Sequence, residues 1–164
     1  MKKGSKNNMI ARIKENSTAM SVGSLVICVL LAGIAAINIF DPLYHHADRE
    51  KIAASLACSA EILMFSAILA VSYVIFRRIS SCGTPFTSEN VKSMRLISLL
   101  FYINSILPNT VLCIAAGGYH VNNGNDWNTG FINTTMVIAG IVFSLVTEYF
   151  NYGTMLQQES DETV

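Results

Sequence analysis

One carboxylate, Glu61, stands in the stretch Ala57-Cys58-Ser59-Ala60-Glu61-Ile62-Leu63-Met64-Phe65, inside a long run with no other charge. A charge at the centre of a hydrocarbon layer costs about 2.5–3.5 kcal/mol on insertion scales, so this acid needs a partner or a proton. If the apolar runs are helices that cross a membrane in alternating directions, Asn109 and Thr110 lie at the depth of Glu61. Pro108 has no N–H to donate to the carbonyl of Asn104, which leaves a further acceptor there. Glu61, Asn104, Asn109 and Thr110 therefore form a candidate intramembrane polar cluster. Burial favours the uncharged acid, and the adjoining runs offer no Lys, Arg or His at that depth. Glu61 is thus expected to carry a proton and to donate a hydrogen bond towards Asn109 or the carbonyl of Asn104. Such a group can fix helix register, exchange a proton or cation, or sense a ligand.

The other reactive side chains suggest less. Glu148 lies near the inner end of the last apolar run and is expected to reach Arg77, Arg78 or water. His45 and His46 are adjacent and cannot share a helix face as metal ligands four apart would, and His120 is remote from both, so no metal site is expected. Cys28, Cys58 and Cys113 fall in apolar runs and Cys82 in a basic loop, with no C-x-x-C pair, so no disulfide framework is implied. No nucleophile elbow, HExxH or phosphate loop occurs. No catalytic residue or cofactor is expected, and the chain reads as a non-enzyme.

The elements that carry these residues follow from composition. Of 164 residues 52% are hydrophobic and only 13% charged, about half the charge of a soluble domain; the mean hydropathy is +0.45. Four runs, at about 18–40, 52–76, 96–120 and 130–150, reach the length of roughly twenty residues that crosses a bilayer. Runs this long must be helices, because every backbone polar group needs an internal partner in lipid. The first run is too long for a secretory signal and closes on Asn38-Ile39-Phe40-Asp41-Pro42, so a retained anchor is expected. Nine of the eleven basic residues (Lys2, Lys3, Lys6, Arg12, Lys14, Arg77, Arg78, Lys92 and Arg95) fall before the first run or between the second and third. The excess marks the cytoplasmic side, and an even number of crossings puts both termini there. The expectation is one all-α integral membrane domain over 1–164, a four-transmembrane-helix antiparallel bundle. The balanced net charge gives no reason to expect nucleic-acid binding.

Small and polar residues recur at helical spacing, which is how membrane helices pack closely: Ser21, Ser24, Cys28, Ala32 and Ala35 in the first run, and Asn133, Val137, Gly140, Ser144, Glu148 and Asn151 in the fourth. Trp127, in the loop Val-Asn-Asn-Gly-Asn-Asp-Trp-Asn-Thr of residues 121–129, is placed as an interfacial anchor. Between the second and third runs stands Ser81-Cys82-Gly83-Thr84-Pro85-Phe86-Thr87-Ser88-Glu89-Asn90-Val91-Lys92. Gly83 can end a helix in the left-handed conformation, and Pro85 keeps Thr84 extended. Thr87 is a good N-cap with Glu89 in the first turn, so a helix should start near Ser88, with Phe86 stapled onto Val91.

This loop and the terminal Gly-Thr-Met-Leu-Gln-Gln-Glu-Ser-Asp-Glu-Thr-Val resemble the YoaS-like family of small bacterial membrane proteins (domain of unknown function 2975). The matching residues are Pro85, Phe86, Thr87 and Asn90, then Leu156, Gln157, Glu159 and Asp161. The resemblance covers most of the chain and implies a four-span protein of the bacterial cytoplasmic membrane with no established activity. Genes of the family often lie beside one for a small helix-turn-helix transcription regulator, which implies a partner. The function expected is that of a membrane-resident regulatory or sensory partner. Its docking surface would be Pro85, Phe86, Thr87 and Asn90 in the loop with Glu159, Asp161 and Glu162 in the acidic tail. The alternative is a small proton- or cation-coupled transporter, or a subunit of one, that uses Glu61. Besides the lipid bilayer, a second copy of the chain could pair with any lipid-facing side.

Overall fold

The computed structural model describes residues 2–115 and 132–162, with side chains for 8–115, 132–160 and 162. The loop with Trp127, and His120, lie outside the described residues, as does the side chain of Asp161. The described residues form helices α1 (Lys2–Tyr44), α2 (Arg49–Cys82), α3 (Ser88–Asn104), α4 (Leu107–Ala115) and α5 (Thr134–Glu162), with no strand among them. Four stretches are long and apolar enough to cross a membrane: Asn8–Tyr44, Arg49–Cys82, Ser88–Ala115 and Thr134–Ser160.

The helices outrun the apolar runs that mark them. At 1.5 Å per residue the 43 residues of α1 extend roughly 65 Å, and α5 continues through the acidic tail to Glu162. α1 closes soon after Pro42, where His46 turns left-handed (φ 48°) and the Ala47 N–H returns to the Pro42 carbonyl at 3.0 Å. α2 closes as expected on Gly83, left-handed at φ 77°, whose N–H reaches the Ile79 carbonyl. A Cβ at Gly83 would lie 3.1 Å from Lys14 Cε and 3.2 Å from Ile10 Cγ2 of α1, so glycine serves both the turn and the packing.

The third span is not one helix. α3 stops at Asn104 and α4 resumes at Leu107. Pro108 cannot donate to Asn104 and its ring disfavours a helical residue before it. The Ser105 N–H folds back to the carbonyls of Phe101 (3.0 Å) and Tyr102 (3.3 Å), and that of Ile106 to Ile103 (3.1 Å). The Ser105 carbonyl accepts instead from the Asn133 N–H, at 2.7 Å, just before α5. Asn133 also caps α5, its Oδ1 accepting from the Met136 N–H at 3.3 Å. Within the described residues the last helix therefore starts at Thr134, and Gly130 lies outside them.

The helices form an open row. α1 packs along α2, α2 meets α3 and α4, and α5 lies along α3. Hydroxyl groups line the α1–α2 seam. Thr18 Oγ1 and Ser80 Oγ lie 2.6 Å apart, Ser66 Oγ donates to the Cys28 carbonyl at 3.1 Å, Ser59 Oγ reaches the Ala35 carbonyl at 3.3 Å, and Ser55 Oγ donates to the Asn38 carbonyl. Ser17, Ser21, Ser24 and Ala35 are buried there, but Ala32, expected on the same face, is exposed. The apolar core joins α2, α3 and α5: Ile68, Ile75 and Ile79 pack with Met94, Ile97 and Phe101, and the Phe101 and Phe143 rings lie 5.1 Å apart. The polar stripe of α5 faces α3. A Cβ at Gly140 would come within 2.7 Å of the Tyr102 ring, whose hydroxyl is 3.2 Å from Ser144 Oγ. Large apolar side chains cover the outer faces, such as Ile37 (68% exposed), Phe40 (69%) and Leu145 (58%). Patches of this extent are a liability in water, whereas lipid solvates them.

Candidate functional site

Two places bring the singled-out residues together. The first is the loop between α2 and α3. Thr87 caps α3 as expected, its Oγ1 accepting from the Asn90 N–H at 3.2 Å. The Asn90 side chain reaches back, Nδ2 donating to the Pro85 carbonyl at 3.0 Å, and the same carbonyl takes the Thr87 N–H at 3.1 Å. Asn90 is fully buried. Pro85, Thr87 and Asn90 thus build the turn itself, which explains their spacing. Thr87→Ala should lower stability by about 1 kcal/mol, read as a lower melting temperature in detergent, whereas Thr87→Ser should leave it nearly unchanged.

Phe86 packs on α5. Its ring is 5.4 Å from that of Phe150, over Gly153, where a Cβ would meet ring atoms at 2.7 Å. Thr84 Oγ1 donates to Gln157 Oε1 at 3.3 Å. Loop and α5 are therefore clamped together below the last apolar turns. Gly153 was legible only as an isolated glycine in a helical pattern, a packing signal that does not name its partner. Glu159 and Glu162 follow on the exposed end of the same helix.

Charged side chains flank the clamp. Glu148 pairs with Arg95 at 3.6 Å, and not with Arg77 or Arg78. Arg78 pairs with Glu89 at 3.4 Å and donates to Ser93 Oγ at 2.9 Å. Arg77 lies over its own-helix neighbour Tyr73, 5.9 Å from the ring centroid. All are at least partly exposed, so each pair contributes about 0–1 kcal/mol.

The second place is the break between α3 and α4. Asn104 is fully buried, and neither Oδ1 nor Nδ2 has a partner among the described residues. The Thr110 hydroxyl donates at 3.0 Å to Ile106, within its own turn, and Asn109 is half-buried and engaged. Glu61 is half-buried, and no hydrogen bond or ion pair engages it among the described residues. No metal-binding group of His, Cys, Asp and Glu occurs among the described residues, and the cysteines there are free thiols.

No curated protein and no solved structure matches the chain. A family model described as "Protein of unknown function (DUF2975)" matches residues 26–164. That match spans the loop, its clamp on α5 and the break at Asn104. The chain belongs to the DUF2975 family.

Proposed function

We propose that this protein is a non-enzymatic regulatory partner in the bacterial cytoplasmic membrane, docking a small basic helix-turn-helix transcription regulator on its inner face. In this reading the four spans form an antiparallel bundle with both termini inside, as the side-by-side excess of Lys and Arg supports. The observation that carries the reading is the clamp. Phe86 on Gly153 and Thr84 on Gln157 hold the cytoplasmic extension of α5 against the loop. The acidic end is thereby presented as an ordered helix and not as a loose tail. The same helix starts at the break, where Asn133 holds the Ser105 carbonyl, so one element links the membrane interior to the docking surface.

The test is capture of the tagged protein from gently solubilised membranes, with wild type beside Glu159→Lys/Glu162→Lys. The expected result is a helix-turn-helix protein that copurifies with wild type and is lost on charge reversal. Its absence from wild type, together with an unchanged transcriptome on deletion of the gene, would refute the reading.

A further inference from the structure

A seven-residue step joins Glu61 to Ile68 and Ile75 along α2, and Asn90 to Ile97 and Asn104 along α3. Seven residues are close to two helical turns, so residues so spaced share a face. Ile68, Ile75 and Ile97 belong to one packed cluster. Glu61 therefore continues the seam two turns beyond Ile68, and Asn104 two turns beyond Ile97, on facing helices.

Two contacts fix the relative height. Arg49 Nε donates to the Ala115 carbonyl at 3.1 Å; Glu61, twelve residues along α2 from Arg49, then lies level with about residue 103. Arg78 contacts Ser93 at 2.9 Å; Glu61, seventeen residues back along α2 from Arg78, then lies level with about residue 110. The two estimates bracket the break.

At that level stand a carboxyl group without a partner, a buried amide with two unpartnered atoms, and the carbonyl end of α3, which Pro108 cannot satisfy. The carbonyl ends of broken membrane helices favour positive charge. We propose that the top of the α2–α3 seam binds a small hard monovalent cation, sodium, between the carboxylate of Glu61 and Oδ1 of Asn104. Nδ2 of Asn104 then donates to the second carboxylate oxygen. The described segments of α1, α3, α4 and α5 bring no charged side chain to this depth: Asp41 and Lys14 of α1, Arg95 of α3 and Glu148 of α5 lie towards the ends of the spans. The titratable groups nearer the middle are Cys28, Cys58, Cys113 and Tyr102, of which Tyr102 is held by Ser144.

This site does not depend on the regulator docking. Its test is the melting temperature of the purified full chain in detergent, in sodium chloride against choline chloride at equal ionic strength. Sodium should raise the midpoint by about 3 °C or more. Glu61→Gln and Asn104→Ala should abolish the sodium increment, and Glu148→Gln should keep it. Infrared difference spectra between sodium and choline should show shifted carboxylate bands in wild type that vanish in Glu61→Gln, a readout independent of how stable each variant is. Equal midpoints in sodium and choline for wild type, or an undiminished increment in Glu61→Gln, would each overturn the proposal.

Discussion

Asn90→Asp should destabilise the protein by about 3–5 kcal/mol at neutral pH, the usual range when a buried charge is left uncompensated. Asn90 is fully buried, and its Nδ2 donates to the Pro85 carbonyl at 3.0 Å. Asp has nearly the same shape but turns that donor into an acceptor facing another acceptor. The amide's other atom, Oδ1, has no partner among the described residues to help an incoming carboxylate. The loss should shrink on acidification. Burial holds the new carboxyl protonated to a higher pH than in the unfolded chain, where it titrates near about 3.9. Its protonated form can again donate to Pro85, so the variant should approach wild type towards that pH and fall away as pH rises. Unfolding midpoints of the two proteins across pH check this. A penalty of the same size at every pH would contradict the assignment of Nδ2 to Pro85.

Gly153→Leu carries the second large effect, and its sign is informative. In a helix, leucine is favoured over glycine by nearly 1 kcal/mol, so an open position 153 would be stabilised by the change. Here a Cβ would sit 2.7 Å from Cδ1 and Cε1 of Phe86. Overpacking of this kind costs about 1–3 kcal/mol. Phe86 is 40% exposed, so the ring has room to leave and the loop should lift from α5. Phe86→Ala/Gly153→Leu removes the collision and should recover most of the stability lost in Gly153→Leu. The coupling between the two sites, read from a double-mutant cycle, should be well above the error of the melts. A stabilised Gly153→Leu single variant would show that Phe86 does not rest on Gly153.

The comparison of sequence with structure divides along the range of the forces involved. The turns at Gly83 and Thr87 were legible because their causes are local: a left-handed residue and a hydroxyl three residues before the N–H it caps. The local rule names only Val91 for Phe86; no spacing in the chain names the contact of its ring with α5. The lost N–H at Pro108 was visible, and the run remains one candidate crossing, but it is built from two helices. The break also rests on Asn133, whose N–H takes the Ser105 carbonyl. Glu148 faced several basic residues near one membrane boundary, and only helix packing selects Arg95. The serines of α1 read as small residues for close packing. Across the seam, Ser59 and Ser66 of α2 lie seven residues apart and reach the carbonyls of Ala35 and Cys28, also seven apart; that repeat lay within the sequence.

The central claim is that the clamp presents the end of α5 to a partner. Its most direct measurement is the amount of helix-turn-helix protein that copurifies with equal quantities of tagged wild type, Gly153→Leu and Phe86→Ala/Gly153→Leu from native membranes. The account predicts a partner with wild type, its loss with Gly153→Leu, and its recovery with the double variant. Equal capture by all three, or by none, would contradict it.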